Sequence, residues 1–147
     1  MSPPFPFDEP EFRRWLVQAD HTLASARRDL EHGDFVWACF KAQQAAEYAV
    51  KGLARALGIP AFGHAVSRLL KDLAREGLPV PPQQMARARL LDRHYIPPRY
   101  PDAYTEGAPL EYYDEPTARG AIDAADQLIL AVKQWASEFP WGPAEEG

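Results

Sequence analysis

The sequence predicts an all-α protein: an antiparallel up-and-down bundle of about five helices, with one long ordered loop between the fourth and fifth. Three observations carry this. Apolar residues recur at alternating spacings of three and four in long segments, the period of a helix face packed on a neighbour. Glycine or proline marks most boundaries between those segments. Alternating runs of β-branched residues, the mark of strands, are absent, and alanine and leucine dominate. The reading divides the chain into an N-terminal arm (1–9), a bundle (10–139) and a flexible acidic tail (140–147).

The first helix is expected from Pro10 to Glu31. Asp8 and Glu11 have the spacing of a capping box. Phe12, Leu16, Ala19, Leu23, Ala26 and Leu30 form one stripe, suited to left-handed crossing with a partner helix. Gly33 ends the segment. The second helix is expected from Phe35 to Leu57, with Asp34 as N-cap and Gly58 just past its end. It carries two stripes, Cys39, Ala46, Val50, Leu53 and Leu57 on one side and Ala38, Ala42, Ala45, Ala49, Gly52 and Ala56 on the other. A helix apolar on two sides is central. Its seam of small residues admits a closely packed backbone, either another helix of this chain or the same helix of a second subunit.

A third helix is expected over Ala65–Glu76, closed by Gly77. A fourth, over Gln83–Arg93, is entered through Pro81 and Pro82. The last, over Pro116–Phe139, has Asp114 as N-cap and a stripe of Ile122, Ala125, Ile129, Val132, Ala136 and Phe139.

Composition excludes several function classes. The chain has 147 residues and a formal net charge of -5, which argues against coating DNA through bulk charge. Its single cysteine, Cys39, allows no internal disulfide and no cysteine-rich zinc site. No signal peptide is read at the start, and no stretch reaches the roughly 18 apolar residues of a membrane span. A cytoplasmic location is expected. A glycine-rich phosphate loop, a GxSxG elbow and an HExxH motif are all absent, so no metal or cofactor is expected.

The segment from His94 to Tyr113 is the candidate functional region. It holds five of the six tyrosines, a composition at odds with disorder, and its prolines at 97, 98, 101 and 109 reduce the entropy lost on ordering. Arg93, Tyr95, Arg99, Tyr100, Asp102 and Tyr104 are the candidate binding residues, because tyrosines stack on bases and arginines hold phosphates. The alternative is a rigid lid, with tyrosines filling grooves and Arg99 paired to Asp102 or Asp92. Asp92 and Asp102 are either solvated or ligands of a divalent ion. Glu47 and Lys51 have the spacing of a helix-surface pair. Gln43 and Gln44 flank the small seam, within reach of a second subunit. His64 reads as a turn or cap residue.

Two motifs are familiar in this order. Trp37-Ala-Cys-Phe-Lys-Ala-Gln-Gln-Ala-Ala-Glu47, continuing Ala49-Val-Lys-Gly-Leu53, resembles the second helix of HEPN domains. Leu91-Asp-Arg-His-Tyr-Ile-Pro-Pro-Arg-Tyr-Pro-Asp-Ala103 and Gly107-Ala-Pro-Leu-Glu-Tyr-Tyr113 resemble the later part of the same family, and the resemblance spans Phe12 to Trp135. It implies a helical bundle that forms a homodimer and works with a minimal nucleotidyltransferase as a toxin–antitoxin-like pair, with RNA or nucleotide as a further partner.

Many HEPN proteins are metal-independent ribonucleases built on an arginine followed, after four to six residues, by a histidine. Arg89 and His94 match that spacing and are the candidate catalytic pair, histidine for proton transfer and arginine for phosphorane-like charge. Arg87 with His94, Arg14 with His21 and Arg27 with His32 match it as well. The residue after the arginine is usually polar in active members; here it is Leu90 after Arg89 and Ala88 after Arg87. Without catalysis, His94 reads as a solvent-facing helix end at the negative pole of the helix. Three functions therefore stand side by side: a partner of a nucleotidyltransferase, a ribonuclease, and a nucleotide-binding module.

Overall fold

The computed structural model describes residues 6–141. Among them are five α-helices and no strand: α1 (Glu9–Glu31), α2 (Phe35–Ala56), α3 (Val66–Arg75), α4 (Pro82–Asp92) and α5 (Glu115–Glu138). No helix among these residues is long and apolar enough to cross a membrane.

Helix α1 begins where Asp8 accepts a hydrogen bond from the Glu11 amide at 3.1 Å. The expected capping box is only half formed. The Asp8 amide donates instead to the Ala56 carbonyl at 2.9 Å, which ties the start of α1 to the end of α2. The Glu11 carboxylate takes the Trp15 indole N–H at 2.9 Å. The α1 stripe is buried from Phe12 to Ala26, with Leu30 half-buried at its end. Asp34 occupies the N-cap position of α2, but its side chain makes no cap hydrogen bond. Gly58, at φ 72°, takes the left-handed turn that ends α2.

Helix α2 is central and packs against α1, α3, α4 and α5. Both of its stripes are buried. Of the two neighbours left open for the small seam, the helix of this chain is the one observed. Ala38, Ala42, Ala45 and Ala49 are fully buried within the chain, and a Cβ added at Gly52 would meet the Trp15 Cβ at 2.5 Å. Glycine is therefore required at this contact between α1 and α2. Helix α5 opens with Asp114 accepting from the Thr117 amide at 2.9 Å; hydrogen bonding to the Thr117 side chain first, and to this amide second, lowers the Asp114 pKa. Ile122, Ala125, Ile129 and Val132 are buried as expected, with Ala136 and Phe139 half-buried below them.

The bundle extends slightly beyond the expected boundaries. Phe7, placed in the arm, packs edge-on against Phe12 at 5.3 Å, and Trp141, placed in the tail, meets Phe139 at 5.4 Å and donates to the Trp135 carbonyl. The rest of the expected tail, residues 142–147, lies outside the described residues. The loop between α4 and α5 is not structureless: it is a series of turns ending in a single 3-10 turn, Pro109–Tyr112.

Candidate functional site

The base of the long loop is closed by its two ends. His94 follows α4 directly and donates its amide to the Leu91 carbonyl at 2.9 Å. Its Nδ1 lies 3.3 Å from the Tyr113 hydroxyl. His94 is not at a solvent-facing helix end: the residue is only 7% exposed. Burial, with the charge of Arg93 as a smaller cause, lowers its pKa to about 4. Burial likewise raises the Tyr113 phenol above its ordinary range and the Cys39 thiol to about 12. His94 is thus a neutral, enclosed imidazole at pH 7. Arg89 is exposed, and among the described residues no hydrogen bond or ion pair joins it to His94. The pair matched by spacing does not form an accessible acid–base site within the chain.

A second cluster forms on a third face of α2, where Trp37, Phe40, Gln44, Glu47 and Lys51 recur at spacings of three and four. Glu47 is its centre. The residue is 4% exposed and is not part of an ordinary helix-surface pair. Its carboxylate accepts from Lys51 Nζ at 3.0 Å, from Gln43 Nε2 at 3.1 Å and from Gln44 Nε2 at 3.3 Å, and it lies 3.1 Å from His64 Nδ1. A buried carboxylate needs such partners, because desolvation otherwise costs several kcal/mol. Gln43 also donates to the His64 carbonyl at 2.9 Å, and Gln44 to the Gln43 side-chain oxygen at 2.7 Å. Both glutamines are thus hydrogen-bonded within this chain. His64 is more than a turn residue: it fastens the α2–α3 connection to Glu47 while its side chain stays 52% exposed.

The loop meets this face through Tyr95, whose ring stacks on His64 at 4.5 Å and 14°. Arg99 donates its Nε to the Tyr95 carbonyl at 2.7 Å. Its guanidinium carbon lies 4.2 Å from the Tyr95 ring centre, 4.9 Å from Phe40 and 5.2 Å from Tyr100. Neither Asp102 nor Asp92 pairs with it, contrary to the lid reading. Aromatic faces hold the cation instead, and no carboxylate among the described residues neutralises it. Asp102 and Arg93 are exposed. Asp92 is engaged elsewhere, accepting from the Val66 amide at 2.7 Å and from the Ser67 amide and hydroxyl. It supplies the cap that Ala65, at the N-cap of α3, lacks. Neither aspartate lies in a group of three or more ligand-type side chains able to hold a metal ion among the described residues.

The far half of the loop is self-contained. Tyr104 stacks on Tyr112 at 3.8 Å and 6°, and the Glu111 carboxylate accepts from the Ala108 amide at 2.6 Å. Two exposed aromatic groups border the cluster instead: Trp37, whose ring lies 5.9 Å from Phe40, and Tyr100, beside Arg99; Phe62 and Ile96, near His64 and Tyr95 in sequence, are exposed as well. Of the candidate binding residues, the structure gathers Tyr95, Arg99 and Tyr100 at one place and leaves Tyr104 in a separate stack. Trp37, Phe40, Glu47 and His64 were missed as site residues. The signal available for Trp37, Phe40 and Glu47 was their shared face of α2, which mixes aromatic and charged groups and so has no hydrophobic period; His64 lies in the α2–α3 connection, where no such signal exists.

A model of the HEPN domain family matches residues 12–135. No curated protein matches the chain. Among solved structures, TT1696 from Thermus thermophilus is 44% identical with a TM-score of 0.81, over 84% of this chain and 97% of that one. ST0689, described as an archaeal HEPN homologue, is 40% identical with a TM-score of 0.73, over 85% and 97%. An HEPN domain protein of Thermotoga maritima, tm0613, is 32% identical with a TM-score of 0.71, over 86% and 99%. With the family model spanning nearly the whole bundle, the chain belongs to the HEPN domain family.

Proposed function

We propose that this HEPN protein is an interaction partner, a homodimer that docks a minimal nucleotidyltransferase in a toxin–antitoxin-like pair, and that it docks through the α2–loop surface. The observation that carries the reading is the pair of exposed aromatic side chains, Trp37 and Tyr100, at the aromatic cradle of Arg99. Aromatic and arginine side chains dominate the energetics of protein interfaces. The ribonuclease alternative is weakened because His94 is enclosed and poorly placed to exchange protons near neutral pH.

The test is co-expression with a minimal nucleotidyltransferase encoded beside this chain, sought in the neighbouring reading frame, followed by affinity capture and mass measurement of the complex. The expected result is a complex containing two copies of this chain, with the Trp37→Ala/Tyr100→Ala variant binding at least about tenfold more weakly. Recovery of this chain alone, without the transferase, overturns the reading.

A further inference from the structure

At one end of the bundle three chain segments enclose a cavity of about 280 Å³. Residues 57–60, which lead out of α2, form one wall. Phe139 and Trp141, just past α5, form another, and Glu76, the C-cap of α3, is the remaining lining residue. The walls are held by the fold itself. Trp141 donates its indole N–H to the Trp135 carbonyl at 3.0 Å and meets Phe139 edge-on at 5.4 Å, and the Phe139 ring lies 5.8 Å from Phe7. Gly58, at φ 72°, turns the chain, and the Ile59 amide returns to the Ala54 carbonyl at 2.9 Å. A preformed, mainly apolar cavity with one charged group is the usual form of a small-molecule site, and this volume suits a small ligand.

The charge of the cavity selects the ligand. Glu76 is the one charged residue that lines it, and among the described residues the Glu76 side chain has no hydrogen-bond or ion-pair partner. Leu57 and Glu76 are the C-caps of α2 and α3, so the negative poles of two helices border the same cavity. The arginines in the last turns of these helices are engaged elsewhere. Arg75 pairs with Asp72 at 3.0 Å, and Arg55 lies over the Trp15 ring, 5.0 Å from its centre, and lines a neighbouring hollow. A metal ion finds no group of three ligand-type side chains among the described residues. An anion is repelled, and a neutral apolar molecule leaves the carboxylate unused. An ammonium group on an apolar body meets both demands, because aromatic faces and carboxylates each attract the cation. We propose that this cavity binds a small organic amine as its ammonium ion. Glu76 takes the charge, and Ile59, Phe139 and Trp141 take the apolar body. The site shares no residue with the α2–loop surface and does not rest on the docking reading.

The test is a titration followed by proton–nitrogen correlation NMR, read at the Trp141 indole and the Ile59 amide. The probes are 2-phenylethylammonium, its neutral counterpart 2-phenylethanol, and 3-phenylpropionate. Wild-type protein is expected to bind the ammonium about fivefold more tightly than the alcohol, and the carboxylate more weakly than either. Glu76→Gln brings the ammonium to the level of the alcohol and leaves the alcohol unchanged. Trp141→Ala, read at Ile59, weakens both about fivefold, and Glu106→Gln changes neither. Equal affinity for the ammonium and the alcohol in the wild type overturns the proposal, a comparison that needs no variant. So does an ammonium preference that survives Glu76→Gln, or the absence of any shift at Trp141 and Ile59 with all three probes.

Discussion

His94 and His64 both adjoin Tyr95, one in sequence and one by stacking, and they are built in opposite ways. His94 is enclosed beside a phenol, has no carboxylate, and is held neutral by burial. His64 is half open, backed by a buried carboxylate, and shares Tyr95 with an arginine. The histidine that matches a nuclease spacing is thus used to close a loop, whereas the one that matches no spacing lies on the α2–loop surface proposed for docking. Along a chain with twelve arginines, arginine–histidine spacing recurs by composition. What separates the two histidines is the group behind the ring and the access in front of it.

The largest expected effect breaks the His64 side. Glu47→Ala removes the acceptor shared by Lys51, Gln43 and His64 and leaves a buried donor and a nearly buried cation unpaired. A loss of about 3 kcal/mol is expected in urea denaturation, with Glu47→Gln recovering part of it. A loss below about 1 kcal/mol would show that water replaces the carboxylate and that Glu47 does not organise the cluster.

The next prediction concerns the His94 side. Its pKa in the fold, about 4, lies below the ordinary 6.5. The unfolded chain therefore binds the proton first, and this residue's contribution to stability is complete above about pH 6.5 and lost as pH falls toward about 4. Thermal melts across that window are expected to fall with pH in the wild type and to flatten in His94→Gln. A slope unchanged in that variant would assign the acid sensitivity to other groups.

The smallest effect lies at the joint between the two sides, where Asp92 at the end of α4 caps α3. Asp92→Ala is expected to cost about 1 kcal/mol, the usual magnitude of a lost N-cap. It should speed amide exchange at Val66 and Ser67 while leaving α5 unchanged. Equal acceleration throughout the bundle would mean that the cap does not act locally.

The helices were legible because each buries a stripe at helical spacing, and the two stripes of α2 announced a central helix. Gly52 and the four alanines beside it read correctly as a close-packing seam, although spacing alone could not name the neighbour. The site was less legible. Trp37, Phe40, Gln44, Glu47 and Lys51 share a face, yet their mixed polarity gives no periodic signal. Glu47 and His64 are seventeen residues apart and meet only through the path of the α2–α3 connection. Asp92 caps a helix that starts twenty-six residues earlier. Contacts of this kind are set by tertiary packing, and no local pattern encodes them.

The central claim is that this protein works through the α2–loop surface and not through Arg89 and His94. The most direct test is quantitative capture of the co-expressed nucleotidyltransferase by wild-type protein, Trp37→Ala/Tyr100→Ala and Arg89→Ala. The account predicts that capture falls at least about tenfold in the double variant and is unchanged in Arg89→Ala. Full capture by the double variant, with loss in Arg89→Ala, would contradict it.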